Sequence, residues 1–300
     1  LENPFKYGAV VRGPYFADRK KEIKELKREM ANLNQVFLVS PRRFGKTCLL
    51  LKLIETLKRE KTACAYLDLN AFPDIRSFAS ALAAGTSEAL ETNKDKLLKM
   101  FSGFQNLRPT VSVDPDGKIS AGLELAVKEN DALAALLEGM RHAEKLAVKK
   151  RKKLVVIIDE FSDLDKYNGR SVEKAMRSEI QKQTRVGYIF SGSEQSVMLA
   201  MIRDRQRAFY KLGRIMELGP IERGVYTKFA MGWLKKGGYI VKAEDLKTIF
   251  ETGNDVPYNI QRLCSVMWDH AIESKVIKPA LIEKLPVIVA QQDSPHYEML

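Results

Sequence analysis

Short, almost continuously apolar runs recur along this chain and alternate with stretches in which apolar residues return every three or four positions. The runs are Val36 to Ser40, Ala63 to Leu69, Leu154 to Asp159, Val186 to Ser191 and Arg214 to Leu218. Each is short and rich in β-branched or aromatic residues, the pattern of strands buried on both faces. Between them lie helix patterns at about 47–60, 75–100, 129–150 and 171–183. The alternation predicts an α/β fold: a five-stranded, mainly parallel sheet in a three-layer sandwich with right-handed crossovers. Ahead of the first run, Lys20 to Glu29 interleaves both charge signs around a stripe of Ile23, Leu26 and Met30, an amphipathic helix.

Two regions break the alternation. Polar and apolar residues alternate strictly from Leu107 to Leu125 around Asp114-Pro115-Asp116-Gly117, which predicts a β-hairpin inserted at the rim, either a partner-docking arm or a decoration. Beyond Pro220 the strand signal vanishes. Ile221 to Lys236, Ala243 to Thr252, Pro257 to Ser274 and Pro279 to Ala290 read as helices, with Gly237-Gly238 the clearest break. The expected organisation is a core domain over 1–220 and a small helical domain over 221–300, with no evident structure from Gln291 onward.

Composition narrows the class. The chain has 300 residues, of which 45% are hydrophobic and 29% charged, and lacks any apolar run near the ~18 residues of a membrane span. Cys48, Cys64 and Cys264 are odd in number and show no metal-ligand spacing, as expected of core thiols in a cytoplasmic protein. No signal peptide opens the chain, and the missing initiator Met suggests a start just inside the native N-terminus. The formal charge of +12 raises nucleic acid as a partner. Much of that charge falls in patterns that a solvated helix face explains equally well. Lys149-Lys150-Arg151-Lys152-Lys153 is a single-sign block that reads either as a solvated loop or as a contact to polynucleotide or an acidic partner.

The chemistry concentrates at Ser40-Pro41-Arg42-Arg43-Phe44-Gly45-Lys46-Thr47-Cys48, between the first apolar run and the helix pattern behind it. Strand, loop and helix with Gly-Lys-Thr at the helix start make a phosphate-binding P-loop, except that Ser40 stands where the pattern has Gly. Backbone N–H groups would wrap a polyphosphate, Lys46 would reach the β- and γ-phosphates, and Thr47 would place its hydroxyl on Mg2+. The carboxylate such a site needs is expected from Asp159, at the end of the most apolar run, in preference to Asp68. Glu160 beside it is expected to orient or deprotonate the attacking water, which favours hydrolysis over transfer to a hydroxyl. Ser191-Gly192-Ser193 ends the next run; these hydroxyls would bond the γ-phosphate or the lytic water, or Ser193 would cap the following helix. Among the basic residues Arg203, Arg205, Arg207 and Arg214, Arg214 is the expected contact to the γ-phosphate, in cis or from a neighbouring subunit.

Together these motifs resemble the archaeal-type ATPases of the AAA+/STAND branch of P-loop NTPases, in the ASCE division. The resemblance rests on Phe16-Ala17-Asp18-Arg19 with Glu22, Pro41 to Thr47, Ile158-Asp159-Glu160-Phe161, Ser191-Gly192-Ser193, Gly213-Arg214 and Gly253-Asn254-Asp255-Val256-Pro257, in the expected order. It implies that Phe16, Asp18 and Arg19 line the adenine pocket and that Pro257 of a helical lid approaches the nucleotide. The spacing around Pro257 departs from a tight Gly-x-Pro. Family members commonly continue into a winged helix, which would be absent or truncated here. The implied function is a slow, Mg2+-dependent ATPase switch that binds ATP or ADP between sheet and lid, signals to a protein partner, and is a monomer or a nucleotide-dependent homo-oligomer. A DNA-associated ATPase of the helicase-loader or origin-binding kind and a nucleotide-binding scaffold without turnover are the alternatives. No Asn-Lys-x-Asp guanine motif is present, which tilts the base toward adenine.

Overall fold

The computed structural model describes residues 1–90, 107–113, 119–125, 132–167 and 169–297. The main sheet is built from β1 (Val36–Val39), β2 (Ala63–Asp68), β5 (Leu154–Asp159), β6 (Val186–Gly192) and β7 (Arg214–Glu217), in the order β2-β5-β6-β1-β7. Every pairing in it is parallel. The strands differ in burial as their places in the sheet require. β1, β5 and β6 are covered on both faces and buried throughout, whereas the edge strand β2 alternates, with Ala63, Ala65 and Leu67 inward and Cys64, Tyr66 and Asp68 half-buried. β3 (Leu107–Val113) and β4 (Ile119–Leu125) pair antiparallel as a separate two-stranded sheet, the expected hairpin; its Asp114-Gly117 turn lies outside the described residues.

The helices are α1 (Lys20–Ala31), α2 (Lys46–Arg59), α3 (Ile75–Leu90), α4 (Ala132–Lys150), α5 (Gly169–Ile180), α6 (Gln195–Arg203), α7 (Arg223–Lys236), α8 (Leu246–Thr252), α9 (Pro257–His270) and α10 (Pro279–Tyr297). Residues 91–100 of the third expected helix lie outside the described residues. α10 runs past Ala290, where the apolar stripe ends. Extending an existing helix by a residue costs far less than nucleating one, so a polar segment can continue it. Among the described residues no helix is long and apolar enough to cross a membrane.

Contacts divide the chain into two compact units. One comprises residues 23–41 and 53–217, and the other residues 1–22, 42–52 and 218–300. The first holds the sheet. Its core centres on Phe190, whose ring lies 5.0 Å from Phe37, 4.5 Å from Phe161 and 5.6 Å from Phe209. Gly213, at the entry to β7, is required by close packing, because a Cβ there would sit 2.4 Å from the Gln35 carbonyl oxygen. The second unit has its own core around Phe5, Tyr226, Leu246 and Trp268. The N-terminal segment belongs to it: Phe5 meets Trp268 edge-on, and the Asn3 side-chain amide donates to the Ser265 carbonyl and to Asp269.

Candidate functional site

Register decides what lies at the carboxyl edge of the sheet. Leu38 and Val39 stand opposite Ser191 and Gly192, and Asp68 stands opposite Asp159. The ends of β1, β2, β5 and β6 are therefore level, and β1 runs from that edge directly into the 40–47 loop. In open α/β sheets this edge is where ligands bind.

The loop opens at Ser40, which is fully buried; its N–H donates to the Gly192 carbonyl at 3.3 Å and its hydroxyl to the Pro41 carbonyl at 3.0 Å. The left-handed positions of the loop are Arg43 (φ 72°) and Gly45 (φ 84°). The first position thus needs no glycine, which accounts for a serine there. At Gly45 the backbone itself demands glycine: a Cβ would meet no atom within 4 Å, but the conformation is one that other residues adopt at a cost. Helix α2 starts at Lys46, so its first N–H groups follow directly on the loop. The Lys46 side chain is almost wholly buried.

Arg19 is buried and spent on the backbone around this loop. One guanidinium nitrogen donates to the carbonyls of Phe44 (3.1 Å) and Gly219 (2.8 Å), the other to Glu22 (2.7 Å) and Pro220 (3.4 Å). Its visible work is to hold the loop, a role the sequence pattern gave no sign of. Asp18 accepts from the Lys20 N–H, fastening the start of α1, and Phe16 closes the 3-10 turn of Gly13–Tyr15. Pro257 sits at the first position of α9, where its missing N–H costs nothing. Its neighbour Tyr258 touches the loop directly. The Tyr258 N–H donates to the Arg43 carbonyl at 3.3 Å, and the Arg43 guanidinium lies 5.0 Å from the Tyr258 ring. Cys48 accepts the Val11 N–H on its sulfur.

The acids at the end of β5 point to different partners. Buried Asp159 accepts from the Tyr66 hydroxyl at 3.0 Å and from the Glu160 N–H at 3.0 Å. Burial, then the adjacent Asp159 charge, raises the Tyr66 phenol far above its ordinary range, so it remains a proton donor to the carboxylate. Tyr66 was not among the expected residues. The signal was present, since it lies two residues before Asp68 on β2 and so shares the face of the strand end that carries Asp159. Glu160 has φ 49°, an uncommon conformation for a glutamate that turns the chain as it leaves the strand. Its carboxylate accepts from both the N–H (3.1 Å) and the hydroxyl (2.9 Å) of Ser193. Ser193 is thus not a helix cap; Glu194 holds that position at α6, making no side-chain capping hydrogen bond to the helix. Asp68 caps the short 3-10 turn after β2 through the Asn70 N–H.

Arg214 stands apart from these residues. It is the first residue of β7, opposite Val36, and lies at the amino edge of the sheet, where it pairs with Glu25 and Glu29. The expectation that it reaches a γ-phosphate in its own chain is not met, because the loop is at the other end of the strands. Arg203 pairs with Glu217, and Arg207 with Glu173 and Asp165.

Taken separately, the donors of the loop and of the α2 start are of the kind a polyphosphate takes, and the Asp159 carboxylate is of the kind Mg2+ takes. The buried Ser191 hydroxyl at the end of β6 has no hydrogen-bond partner, an unmet donor of the kind a phosphate or water would engage. Among the described residues no three His, Cys, Asp or Glu side chains cluster to hold a metal.

Comparison with known proteins supports the same class. Among solved structures, a Walker-type ATPase of Pyrococcus abyssi superposes with a TM-score of 0.64 at 14% identity, covering 99% of this chain and 79% of that one. The Aeropyrum pernix ORC2 protein, solved with ADPNP and ADP, gives 0.56 at 13% identity over 95% of this chain and 71% of its own. The Aeropyrum pernix ORC1 protein, solved in complex with DNA, gives 0.56 at 12% over 95% and 68%. At such identities the likeness establishes the α/β P-loop NTPase fold. No curated protein sequence matches the chain. Residues 16–263, from Phe16 ahead of the sheet to Leu263 in α9, match the family described as an ATPase domain predominantly from Archaea, and the chain belongs to that family.

Proposed function

We propose that this chain binds ATP with Mg2+ and hydrolyses it slowly, as a cytoplasmic nucleotide-dependent switch. The observation that carries the reading is the pair of acids closing β5, with Asp159 held by Tyr66 and Glu160 turned toward Ser193. Two adjacent carboxylates with separate partners can divide two tasks, metal binding and activation of water, and transfer to a substrate hydroxyl has less need of the second. In this reading Pro41, Arg42, Arg43, Phe44, Gly45, Lys46, Thr47 and Cys48 form the phosphate cradle, and Phe16, Asp18 and Arg19 border the base. Asp159 and Thr47 hold the metal, which when bound neutralises charge on the phosphate oxygens. Glu160 takes the proton of the attacking water, and Ser191 bonds the γ-phosphate or that water. Arg214 keeps a place only as a contact offered to a neighbouring copy.

The switch has a candidate first link. Tyr258 opens α9 next to Pro257 and bonds Arg43 of the loop, so a loop reshaped by phosphate would pull on that helix. The helical region from Ile221 to residue 300 would then present the nucleotide state to a protein partner. Equilibrium binding of ATP, ADP and GTP with and without Mg2+, followed by measurement of phosphate release, tests the proposal. It expects ATP binding that is lost in Lys46→Ala. Binding of none of the three nucleotides refutes it, and ATP binding with no phosphate release makes the chain a scaffold. The charge of +12 favours one second reading, an ATPase associated with DNA.

A further inference from the structure

The segment that links α6 to β7 carries Arg205, Arg207 and Tyr210, and α5 carries Lys174 and Arg177. With Ala208 they line an open cavity of about 360 Å3. Four cations face it. Two are held from behind: Arg177 donates to the carbonyls of Ala208 and Tyr210, and Arg207 to Glu173, which is 1% exposed, and to Asp165. The other two, Lys174 and Arg205, are exposed and, among the described residues, have no acidic partner. Glu173 and Asp165 together offset two of the four charges, leaving the cavity cationic.

The construction differs from a solvated basic face. Clamped guanidinium groups lose little freedom when an anion arrives, and two mobile cations at the rim can close on it. Apart from the Tyr210 ring the lining offers no flat apolar slot for a base, so the chemistry recognised is the phosphate alone. We propose that this cavity seats backbone phosphates of nucleic acid without regard to sequence, with Lys174 and Arg205 making the contacts and the clamped Arg177 and Arg207 forming its rigid wall. The proposal gives the DNA-associated reading a place on the surface, rests on that reading, and is independent of ATP hydrolysis.

The test is fluorescence anisotropy of a labelled random-sequence DNA duplex over a salt series, with wild type and the double variant Lys174→Glu/Arg205→Glu. Lys21→Glu/Lys24→Glu on α1 carries the same change in net charge at two other exposed positions. Losing two phosphate contacts is expected to flatten the slope of log affinity against log salt by ~1.8, and to weaken binding at low salt by about tenfold or more. The α1 variant is expected to leave the slope within ~0.5 of wild type. Circular dichroism and ATP affinity unchanged from wild type show that the cavity variant is folded. Equal losses in the two variants would overturn the assignment, since net charge alone would then explain them. Wild-type protein that ignores the duplex overturns the DNA-associated reading and the cavity with it. Duplex binding that survives in the cavity variant overturns the cavity alone, as does loss of inorganic phosphate binding or of self-association while duplex affinity holds.

Discussion

Replacing Arg19 probes how the loop is held. Its guanidinium is 3% exposed and makes four hydrogen bonds, to three backbone carbonyls and to Glu22. Arg19→Lys keeps the charge but not the planar fork, and an ammonium on that stem cannot serve Phe44, Gly219 and Glu22 at once. Losing two charge-assisted bonds at ~1.5 kcal/mol each predicts a destabilisation of about 3 kcal/mol. Arg19→Ala, which also strips Glu22 of its partner, should cost ~3–5 kcal/mol. Trp233 and Trp268 are the two tryptophans of the chain, and both fall in the unit formed by residues 1–22, 42–52 and 218–300. Urea unfolding followed by tryptophan emission therefore reports on the unit that contains Arg19. With a slope of ~1.5 kcal/mol/M, the Arg19→Lys midpoint should fall by about 2 M. ATP affinity should fall with it, because the Phe44 carbonyl is released. A midpoint shift below ~0.3 M in Arg19→Lys would show that the guanidinium contacts contribute almost nothing, and the reasoning would be refuted.

Two further substitutions probe the sheet-bearing unit. Tyr66→Phe removes the hydroxyl that orients Asp159; the Mg2+ concentration for half-maximal ATP hydrolysis should rise about tenfold, and a change within twofold would contradict the role. Partly buried His142 bonds Ser87 at 3.1 Å, and burial, followed by the nearby Lys145 charge, lowers its imidazole to about 4. Between pH 4 and 6.5 the unfolded chain binds the proton and the folded one does not, so stability is full above ~6.5 and is lost as pH falls toward 4, by up to ~3 kcal/mol. His142→Gln should flatten that dependence in urea unfolding followed by circular dichroism; an unchanged pH profile would exclude His142 as its source.

The strands were legible because each is a short apolar run with a sharp end, and the P-loop because its spacing is set by phosphate geometry. Strand order was not legible. Nothing in the β5 and β6 sequences says that both lie between β1 and β2, since that order is decided by which faces pack against which helices. Arg214 illustrates the cost: a residue at the start of a strand is a strand's length from the carboxyl edge, and only the known direction of β7 reveals it. Arg19 acts through long-range bonds to the Phe44 and Gly219 carbonyls, which no local pattern encodes, and the position of Tyr66 two residues before Asp68 becomes readable only once β2 is known to pair with β5. The extra length of α10 was missed because its last turns carry no apolar stripe to announce them.

Single-turnover ATP hydrolysis by wild type and Glu160→Gln tests the central claim most directly. The substitution preserves size and keeps an acceptor for Ser193, but removes the base. The expected result is a rate lowered by ~100-fold or more, with ATP affinity within about threefold of wild type. Equal rates in the two proteins would contradict the assignment of Glu160, and no turnover in either would contradict hydrolysis itself.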